Sequence, residues 1–323
     1  IAGPQSHLSD ALVNAIPSGT SISAGGIELS DHVAKVSLNG TLPSDDRGKQ
    51  LMAWEISQTL QRSGRVNSVE INVGGEVLPS SGLPSQPSFD LDSAVAFNSN
   101  GLVRIDGRSV STRILPIAPS PSASLPAVSP VSSSLLAWRE DDRLILVDSS
   151  TNATRVVDGS EGQYSPSIDR FGWVWDIPRG GNLRASRIDG QNLAIASENQ
   201  SLKGVSAVRI SPDGARALLL RQVGGSTSAW IAGIERRGSG EPIALTDPEP
   251  LAGLSTGVDD VSWAGRSTVV AVRQGGLRVG NDQVDEVSLV TVPVGGFPSV
   301  LALPTGTQRL SAGSSSTTMV IRG

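Results

Sequence analysis

The sequence predicts a small α+β domain followed by an all-β propeller of about five or six blades, and three observations support this prediction. Short apolar segments return every few dozen residues from about Ser133 to the C-terminus. Five of them are 135–138 (LLAW), 173–175 (WVW), 218–220 (LLL), 269–271 (VVA) and 319–321 (MVI). Helical periodicity is confined to the first 78 residues, and 36 glycines and 20 prolines supply the tight turns that short strands need. Because one four-stranded unit cannot bury both faces, such units stack side by side, and a ring leaves few free edges.

Residues 1–78 form the predicted α+β domain. Leu8, Leu12 and Ile16 recur at every fourth position, which predicts a short amphipathic helix. Apolar and polar residues then alternate over 34–38, the pattern of a half-buried strand. The domain therefore begins with a helix and a strand.

A second helix in this domain has clearer boundaries. Ser44 or Asp45 can cap its start, because both side chains accept hydrogen bonds from first-turn amides, and Gly64 favours its end. Its apolar face consists of Met52, Ile56 and Leu60. Alternation over 69–73 then predicts a strand, which a two-glycine turn joins to a second strand at 77–78.

Segment 79–93 is the predicted linker, since 79–88 alone holds three prolines and four serines. The predicted propeller covers 94–323. Its first strands are 94–97, 102–105 and 110–115. The Pro- and Ser-rich segment 117–130 follows, and we expect it to form a mobile loop.

Four blades are predicted from the strand patterns that come next. They cover about 135–157, 165–196, 205–245 and 258–303. The remaining strands, 309–312 and 318–321, are too few for a blade of their own. We therefore expect strands from 94–115 and 309–322 to pair and close the ring, which leaves no free sheet edge. Counting this shared blade gives about five blades, or six.

Composition excludes several classes of function. The formal net charge is −5, without runs of one sign, whereas binding to nucleic acid or to an anionic surface needs a concentrated basic patch. The sequence has no cysteine, which excludes disulfides, thiolate metal sites and a cysteine nucleophile within it. No segment approaches the roughly 20 apolar residues of a membrane span.

Three acidic pairs are candidates for chemistry. They are Asp45 with Asp46, Asp141 with Asp142, and Asp259 with Asp260. The first pair lies at a helix start and the second in a hairpin, so both are interpreted as structural. The third pair lies at the entrance of a predicted innermost strand. It is the pair that we expect near the central funnel, where carboxylates act as general acid and base or bind a hard cation.

The two histidines, His7 and His32, both lie in the small domain. The repeats therefore carry no histidine for a serine triad, a zinc site or a general base near neutral pH. We predict that the protein is not an enzyme, with no catalytic residue, no cofactor-binding residue, no cofactor and no metal ligand.

The sharpest local motif is the tetrapeptide 211–214 (Ser-Pro-Asp-Gly), which predicts a tight hairpin turn. The alternative would make Asp213 an acid or a Ca²⁺ ligand. Segment 165–169 (Ser-Pro-Ser-Ile-Asp) occupies the same place in its blade, which favours the structural interpretation. Five tryptophans are predicted to wedge between sheets, the alternative being a sugar platform: Trp138, Trp173, Trp175, Trp230 and Trp263.

Several segments resemble a GerMN (sporulation and germination) domain that lacks its first strand. They are 1–4, 15–20, 34–38 and 69–73, the last before a glycine turn. Such a domain followed directly by a propeller with Ser-Pro-Asp-Gly turns resembles the actinobacterial LpqB lipoprotein family. The preference for arginine over lysine suits that lineage. The resemblance covers essentially the whole chain and rests mainly on the order of the domains.

The resemblance implies an extracytoplasmic lipoprotein, anchored to the outer face of the plasma membrane through an acylated cysteine upstream of Ile1. It also implies a partner, the extracytoplasmic domain of the sensor histidine kinase MtrB. Through this partner the family modulates the MtrA–MtrB two-component system and affects cell envelope growth and division. The family supplies no catalytic residues, so none are assigned, and no nucleic-acid partner is expected.

A second hypothesis is an envelope-glycan binding protein or a propeller-type carbohydrate-active enzyme. It requires Asp259, Asp260 and a further acid within about 5–10 Å around a wet pocket, beside aromatic platforms. A scaffold in complex assembly is a third hypothesis.

Overall fold

The computed structural model describes residues 8–62, 64–85, 87–106, 109–112, 115, 117–160, 162–178, 182–197, 202–275, 277–279, 282–284, 287–304, 306–313 and 319–322. The chain divides into two compact units, Ile1–Pro87 and Ser88–Gly323. Both are built mainly from β-strands, with one α-helix in the described part of the chain. That helix is too short and too polar to cross a bilayer, and the described residues contain no other candidate.

The N-terminal unit contains one sheet and the helix. Its elements are β1 (Ser21–Ser30), β2 (Val33–Asn39), α1 (Asp46–Gln61), β3 (Ser68–Val73) and β4 (Glu76–Val77). The strands lie side by side in the order β1-β2-β3-β4. Strands β2 and β3 are parallel because α1 carries the chain back between them, whereas the hairpin pairs are antiparallel.

Helix α1 begins where the sequence predicts. The Asp45 side chain accepts a hydrogen bond from the Gly48 amide at 2.8 Å, and Gly64 has a φ of 68° just after the helix, the left-handed conformation typical of a helix end. Met52 and Ile56 are buried and pack in one core with apolar residues of β2 and β3. Burial of this apolar face holds the helix on the sheet.

The prediction of a helix from the spacing of Leu8, Leu12 and Ile16 is wrong. One turn forms, with the Leu12 amide 2.9 Å from the Leu8 carbonyl oxygen. The Ala15 amide instead donates to the Glu55 carboxylate of α1 at 2.8 Å. A backbone amide of this segment therefore forms its hydrogen bond with a side chain of α1, and the helical hydrogen bonds do not continue beyond the first turn.

Strand β1 is not predicted by the sequence pattern. Its apolar alternation is interrupted at Gly25 and Gly26, where the pairing with β2 changes register between Ile22 and Ile27. A strand interrupted by an irregular pairing loses the period-2 signal on which a sequence prediction depends.

The C-terminal unit is a succession of antiparallel sheets. A three-stranded sheet consists of β5 (Ser93–Asn98), β6 (Gly101–Asp106) and β7 (Ser109–Thr112). The next sheet consists of β8 (Ala123–Val128), β9 (Leu135–Glu140), β10 (Arg143–Asp148) and β11 (Ala153–Asp158), and the one after it of β12 (Ser167–Ile168), β13 (Val174–Asp176), β14 (Leu183–Ser186) and β15 (Asn192–Ile195).

Two further large sheets follow in the chain. One consists of β16 (Val205–Ile210), β17 (Arg216–Val223), β18 (Ser226–Arg236) and β19 (Pro242–Leu245), with β20 (Glu249–Pro250) paired to β18. The other consists of β21 (Val258–Ala264), β22 (Thr268–Arg273), β25 (Ser288–Pro293) and β26 (Ser299–Ala302), and between β22 and β25 the chain forms a hairpin of β23 (Leu277–Val279) and β24 (Asp282–Val284). The last hairpin is β27 (Arg309–Ala312) with β28 (Met319–Arg322).

The predicted mobile loop over 117–130 is wrong in part, because β8 lies within it. Ala127 and Val128 pair with Ala137 and Leu136 of β9. Pro126 falls at the register shift between the paired positions of β8, where a missing N–H is tolerated. The high Pro and Ser content of this segment conceals a strand.

Pairing between the two ends of the propeller stays a prediction. Among the described residues, β27 and β28 hydrogen-bond with each other, and β5, β6 and β7 form a separate sheet. The Leu310 amide of β27 donates to the side chain of Asp260 in β21 at 3.1 Å. The last hairpin therefore lies against the preceding large sheet.

Tryptophan packing between sheets is confirmed for three positions. Trp138, Trp173 and Trp175 are at most 1% exposed. Trp173 and Trp175 share a core with Leu219 and Ala232 of the following sheet. The apolar crests at 135–138, 173–175, 218–220 and 269–271 thus contribute to the contact layers between neighbouring sheets.

The tetrapeptide 211–214 forms the predicted turn. Asp213 accepts from the Ala215 amide at 3.0 Å and from Arg216 Nη2 at 2.6 Å, and Gly214 has a φ of 75°. Burial works against the charged form, but Arg216, Ser211 and the amide outweigh it, so the pKa of Asp213 is lowered.

We expect Asp213→Asn to lower the free energy of unfolding by about 1–2 kcal/mol at pH 7. A lowered pKa stabilises the fold above the unfolded-state value of about 4, and this contribution is lost as the pH falls through the folded-state pKa. The difference from the wild type should therefore shrink in urea unfolding at pH 3. Asp142→Asn, in an exposed hairpin, serves as the control, and a difference that persists unchanged at pH 3 contradicts the assignment.

Candidate functional site

A cavity of about 650 Å³ lies among the first strands of six sheets in the C-terminal unit. The strands that line it are β5, β8, β12, β16, β21 and β27. Each of them opens its sheet, so the sheets meet at this cavity by their first strands. The cavity thus occupies the place of the funnel that the sequence predicts.

Asp260 is the central carboxylate of the polar wall and is 2% exposed. Its Oδ1 atom lies 3.5 Å from Arg209 Nη2 and accepts from the Val261 amide at 2.9 Å. Its Oδ2 atom accepts from the Leu310 amide at 3.1 Å. Asp260 thus connects β21 to β16 and β27. Burial raises the pKa of Asp260, although Arg209 and the two amides favour the charged form.

Arg209 is held on the same wall by backbone groups. Its Nη1 atom donates to the Ser165 carbonyl at 2.7 Å, and its own carbonyl accepts from Trp263 Nε1 at 3.0 Å. The charge of Arg209 is offset by Asp260.

Arg309, on β27, is the second cation of the cavity. Its guanidinium donates to the carbonyls of Asp259 and Gln163 at 3.3 and 3.1 Å. It also lies 4.2 Å from the ring centroid of Tyr164, a cation–π contact. Tyr164 in turn donates to the Asp259 carbonyl at 2.8 Å. These contacts fix the orientation of the guanidinium.

The opposite wall is apolar. It consists of residues 94–97 on β5 and 125–128 on β8, all of them half-buried. Leu125 has a φ of 54°, a conformation that costs a bulky residue roughly 1–3 kcal/mol. The cavity therefore has one charged wall and one apolar wall.

The structure separates the acidic pair predicted for the funnel. Asp260 lines the cavity, whereas the Asp259 carboxylate accepts from Gln274 Nε2 at 2.6 Å. Asp90 is the other carboxylate among the described lining residues, and it forms an ion pair with Arg104 at 2.9 Å. The convergent free acids that a glycosidase needs are not found among these residues.

The other sequence candidates have structural positions. Asp45 caps α1, Asp141 lies in an exposed turn with a φ of 53°, and His32 is exposed with Nδ1 3.0 Å from the Arg65 carbonyl. His7 lies outside the described residues. Where the structure describes the chain, no group of three His, Cys, Asp or Glu side chains is arranged to hold a metal ion.

Sequence reasoning missed the two arginines and Tyr164. No motif marks them, because they lie on or beside three different sheets and are up to 145 positions apart in the sequence. The available signal is weak: Arg209 lies on a strand that the pattern predicts to be first in its blade, and Arg309 lies on one of the remaining strands that are expected to close the ring.

The N-terminal unit carries a second concave feature of about 620 Å³, which we call the apolar groove. Its lining includes Val13, Ile22, Ile27, Trp54 and Leu60. Val13 is 96% exposed, Ile22 49% and Ile27 43%. The carboxylate in the lining, Glu55, accepts from the Ala15 amide. The groove therefore presents apolar side chains to solvent.

Comparison with protein families gives two matches. A family model described as "Lipoprotein LpqB beta-propeller domain" matches residues 100–322, and one described as "Sporulation and spore germination" matches residues 1–79. No curated protein matches the chain.

Solved structures similar to the chain have low sequence identity. TolB from Acinetobacter baumannii is 15% identical, with 76% of this chain and 71% of that chain covered and a TM-score of 0.45. A chain of the nidogen/laminin complex is 10% identical, with 69% and 81% covered and a TM-score of 0.44. The β-propeller domain of the trilobed protease from Pyrococcus furiosus is 13% identical, with 58% and 59% covered and a TM-score of 0.37. None of these similarities bears on function.

Proposed function

Because the chain belongs to the LpqB lipoprotein β-propeller family, we propose that it is a non-enzymatic extracytoplasmic lipoprotein that binds the extracytoplasmic domain of an MtrB-type sensor histidine kinase. Through this contact it modulates an MtrA–MtrB-type two-component system, with effects on cell envelope growth and division. A lipid anchor holds it at the outer face of the plasma membrane.

We further infer that the C-terminal unit is a six-bladed propeller and that the N-terminal unit is a GerMN-like α+β domain. Six first strands share one cavity, which supports six blades. The sheet and α1 in a unit that matches a sporulation and germination family support the second assignment.

The apolar groove is the observation that carries the proposal of a protein partner. Monomeric proteins rarely leave contiguous apolar patches in solvent, and such patches mark interaction sites. The groove adjoins β1, which is the outermost strand of the sheet among the described residues, and a strand from a partner can pair with such an edge. Partner recognition is therefore supported by an apolar surface beside this strand.

The central cavity supports the non-enzymatic part of the proposal. Asp260 is engaged by Arg209 and by two amides, and a general acid or base must be free to exchange its proton with a substrate. Among the described residues that line the cavity there is no histidine.

We expect Val13→Asp to weaken binding of the kinase domain at least about tenfold, because the variant places a charge in the apolar groove and roughly 1.4 kcal/mol corresponds to that factor. The full chain is immobilised, and the purified extracytoplasmic domain of an MtrB-type kinase is titrated by surface plasmon resonance.

Val77→Asp is the matched control, since Val77 is 70% exposed in the same unit but lies outside the groove. Equal affinity for both variants would remove the groove from the proposal. If the immobilised chain binds envelope glycan and does not bind the kinase domain, the proposed function is wrong and the hypothesis of a glycan-binding protein or carbohydrate-active enzyme takes its place.

A further inference from the structure

We propose that the central cavity is a binding site for a small amphiphilic anion, which carries one carboxylate or phosphate group and an apolar chain. This function is separate from kinase binding and does not depend on it. The proposal rests on the charge of one wall, the apolar character of the other and the size of the cavity.

Arg309 supplies the charge. Its hydrogen bonds go to two neutral backbone carbonyls and its ring contact is with Tyr164, so among the described residues it forms no close ion pair, although its charge acts on Asp260 at longer range. Arg209, by contrast, is paired with Asp260. The polar wall therefore has one positive charge in excess, and such a charge attracts an anion more strongly in a partly enclosed cavity than in open water.

The orientation of Arg309 is already fixed before a ligand arrives. Two carbonyls and an aromatic ring hold the guanidinium, and the Nε–H is left without a partner among the described residues. A preorganised donor loses little conformational entropy on binding, which favours affinity for a carboxylate or a phosphate.

The apolar wall fits the rest of the ligand. Residues of 94–97 on β5 and 125–128 on β8 line the cavity and are half-buried. Val95, Phe97 and Val128 also pack against the core around Trp138, so this wall is backed by a packed apolar layer. Ligand cavities of 300–1,000 Å³ with mainly apolar walls and a few polar groups are typical of small-molecule sites, and this cavity has about 650 Å³. The strained backbone at Leu125 places that side chain on the wall.

Other ligand classes fit less well. A glycan needs an open aromatic face, but Arg309 covers Tyr164 and Trp263 is 6% exposed. An organic cation would be repelled by Arg309. An amphiphilic anion satisfies both walls at once.

The first test uses the wild-type full chain and four probes with the same alkyl chain. Decanoate, decyl phosphate, decanol and decyltrimethylammonium are titrated by calorimetry below their micelle concentrations. We expect saturable binding of at least one anion, weaker at high salt, and roughly tenfold or greater preference over decanol and the cation. The two anions distinguish a carboxylate from a phosphate site.

The second test assigns the anion to Arg309. Arg309→Gln should weaken anion binding about tenfold, whereas Arg309→Lys should retain most of it. Arg221→Gln is the control, because Arg221 also lies over an aromatic ring, that of Trp230 at 5.1 Å, and donates to a carbonyl outside the cavity. Decanol binding as tightly as the anions, equal affinity of the Gln variant, or no saturable binding at all would overturn the proposal. Kinase binding is measured alongside and should stay unchanged.

Discussion

Replacing Asp169 with alanine should lower the free energy of unfolding of the C-terminal unit by about 3–5 kcal/mol, the range for removing one partner of a buried ion pair. The carboxylate is fully buried. It accepts from the amides of Phe171 and Trp173 at 2.9 Å each, from Trp175 Nε1 at 3.0 Å and from Arg236 Nη2 at 2.7 Å. Alanine would leave four donors without an acceptor, one of them charged.

Arg236 makes this loss more severe, because its guanidinium cannot move into solvent easily. Its side chain is 10% exposed and lies 4.6 Å from the ring centroid of Phe171. Burial lowers the pKa of Arg236, and Asp169 counteracts that effect. Without Asp169 the cation remains buried and loses its main compensation.

The free energy of unfolding is measured by urea titration, with near-ultraviolet circular dichroism as the signal. Asp189→Ala is the matched control, since Asp189 pairs with Arg187 at 3.5 Å on the surface with 42% of its side chain exposed; such pairs contribute about 0–1 kcal/mol. A loss below about 1 kcal/mol for Asp169→Ala would contradict the structural role assigned to this carboxylate.

Asp169 also illustrates what the sequence can and cannot predict. Its position in a Ser-Pro-Ser-Ile-Asp segment indicates a structural turn residue, and the hydrogen bonds to Phe171 and Trp173 agree with that interpretation. Its partner Arg236 lies 67 positions later on the next sheet. Local patterns report turns, whereas ion pairs between sheets depend on how the sheets pack.

The same distinction explains which secondary-structure elements the sequence pattern predicts and which it misses. Strands with regular alternation or continuous apolar crests, such as Leu135–Glu140 and Thr268–Arg273, are predicted because many residues repeat one signal. Ser21–Ser30 and Ala123–Val128 are missed because each changes register in its middle. The turn at 211–214 is predicted because its chemistry is local.

The central cavity shows the limit for functional residues. The sequence places the pair Asp259 and Asp260 near the funnel, from its position at the entrance of a first strand, and of the two Asp260 lines the cavity. Arg309 and Tyr164 belong to different sheets, and their contact exists only once the sheets surround a common space. The spacing of these residues along the chain does not predict this contact.

Asp260→Ala is the second substitution with a large expected effect, again about 3–5 kcal/mol of unfolding free energy. The alanine leaves Arg209 without its carboxylate and leaves the Leu310 amide, which connects β27 to β21, without an acceptor. Because β27 belongs to the last hairpin of the propeller, we expect the loss to appear also as faster hydrogen exchange over Arg309–Ala312.

The pH dependence of Asp260 has the opposite sign to that of Asp213. Burial raises the pKa of Asp260 above its ordinary value of 3.8, so between that value and the raised one the folded state binds more protons than the unfolded state. Stability conferred by this group therefore increases as the pH falls from neutral through that window and decreases as the pH rises. The stability difference between the wild type and Asp260→Asn should widen on mild acidification, whereas the corresponding difference for Asp213→Asn should stay nearly constant down to about pH 4 and narrow below it.

Comparing the two asparagine variants in urea unfolding from pH 7 down to pH 3 separates this effect from general acid destabilisation, because the other carboxylates are common to both proteins. Parallel curves for Asp260→Asn and Asp213→Asn would mean that Asp260 is not buried in its charged form beside Arg209. Opposite slopes would tie the stability of the last hairpin to the ionisation of one carboxylate, since Leu310 of β27 and Arg209 of β16 both depend on it.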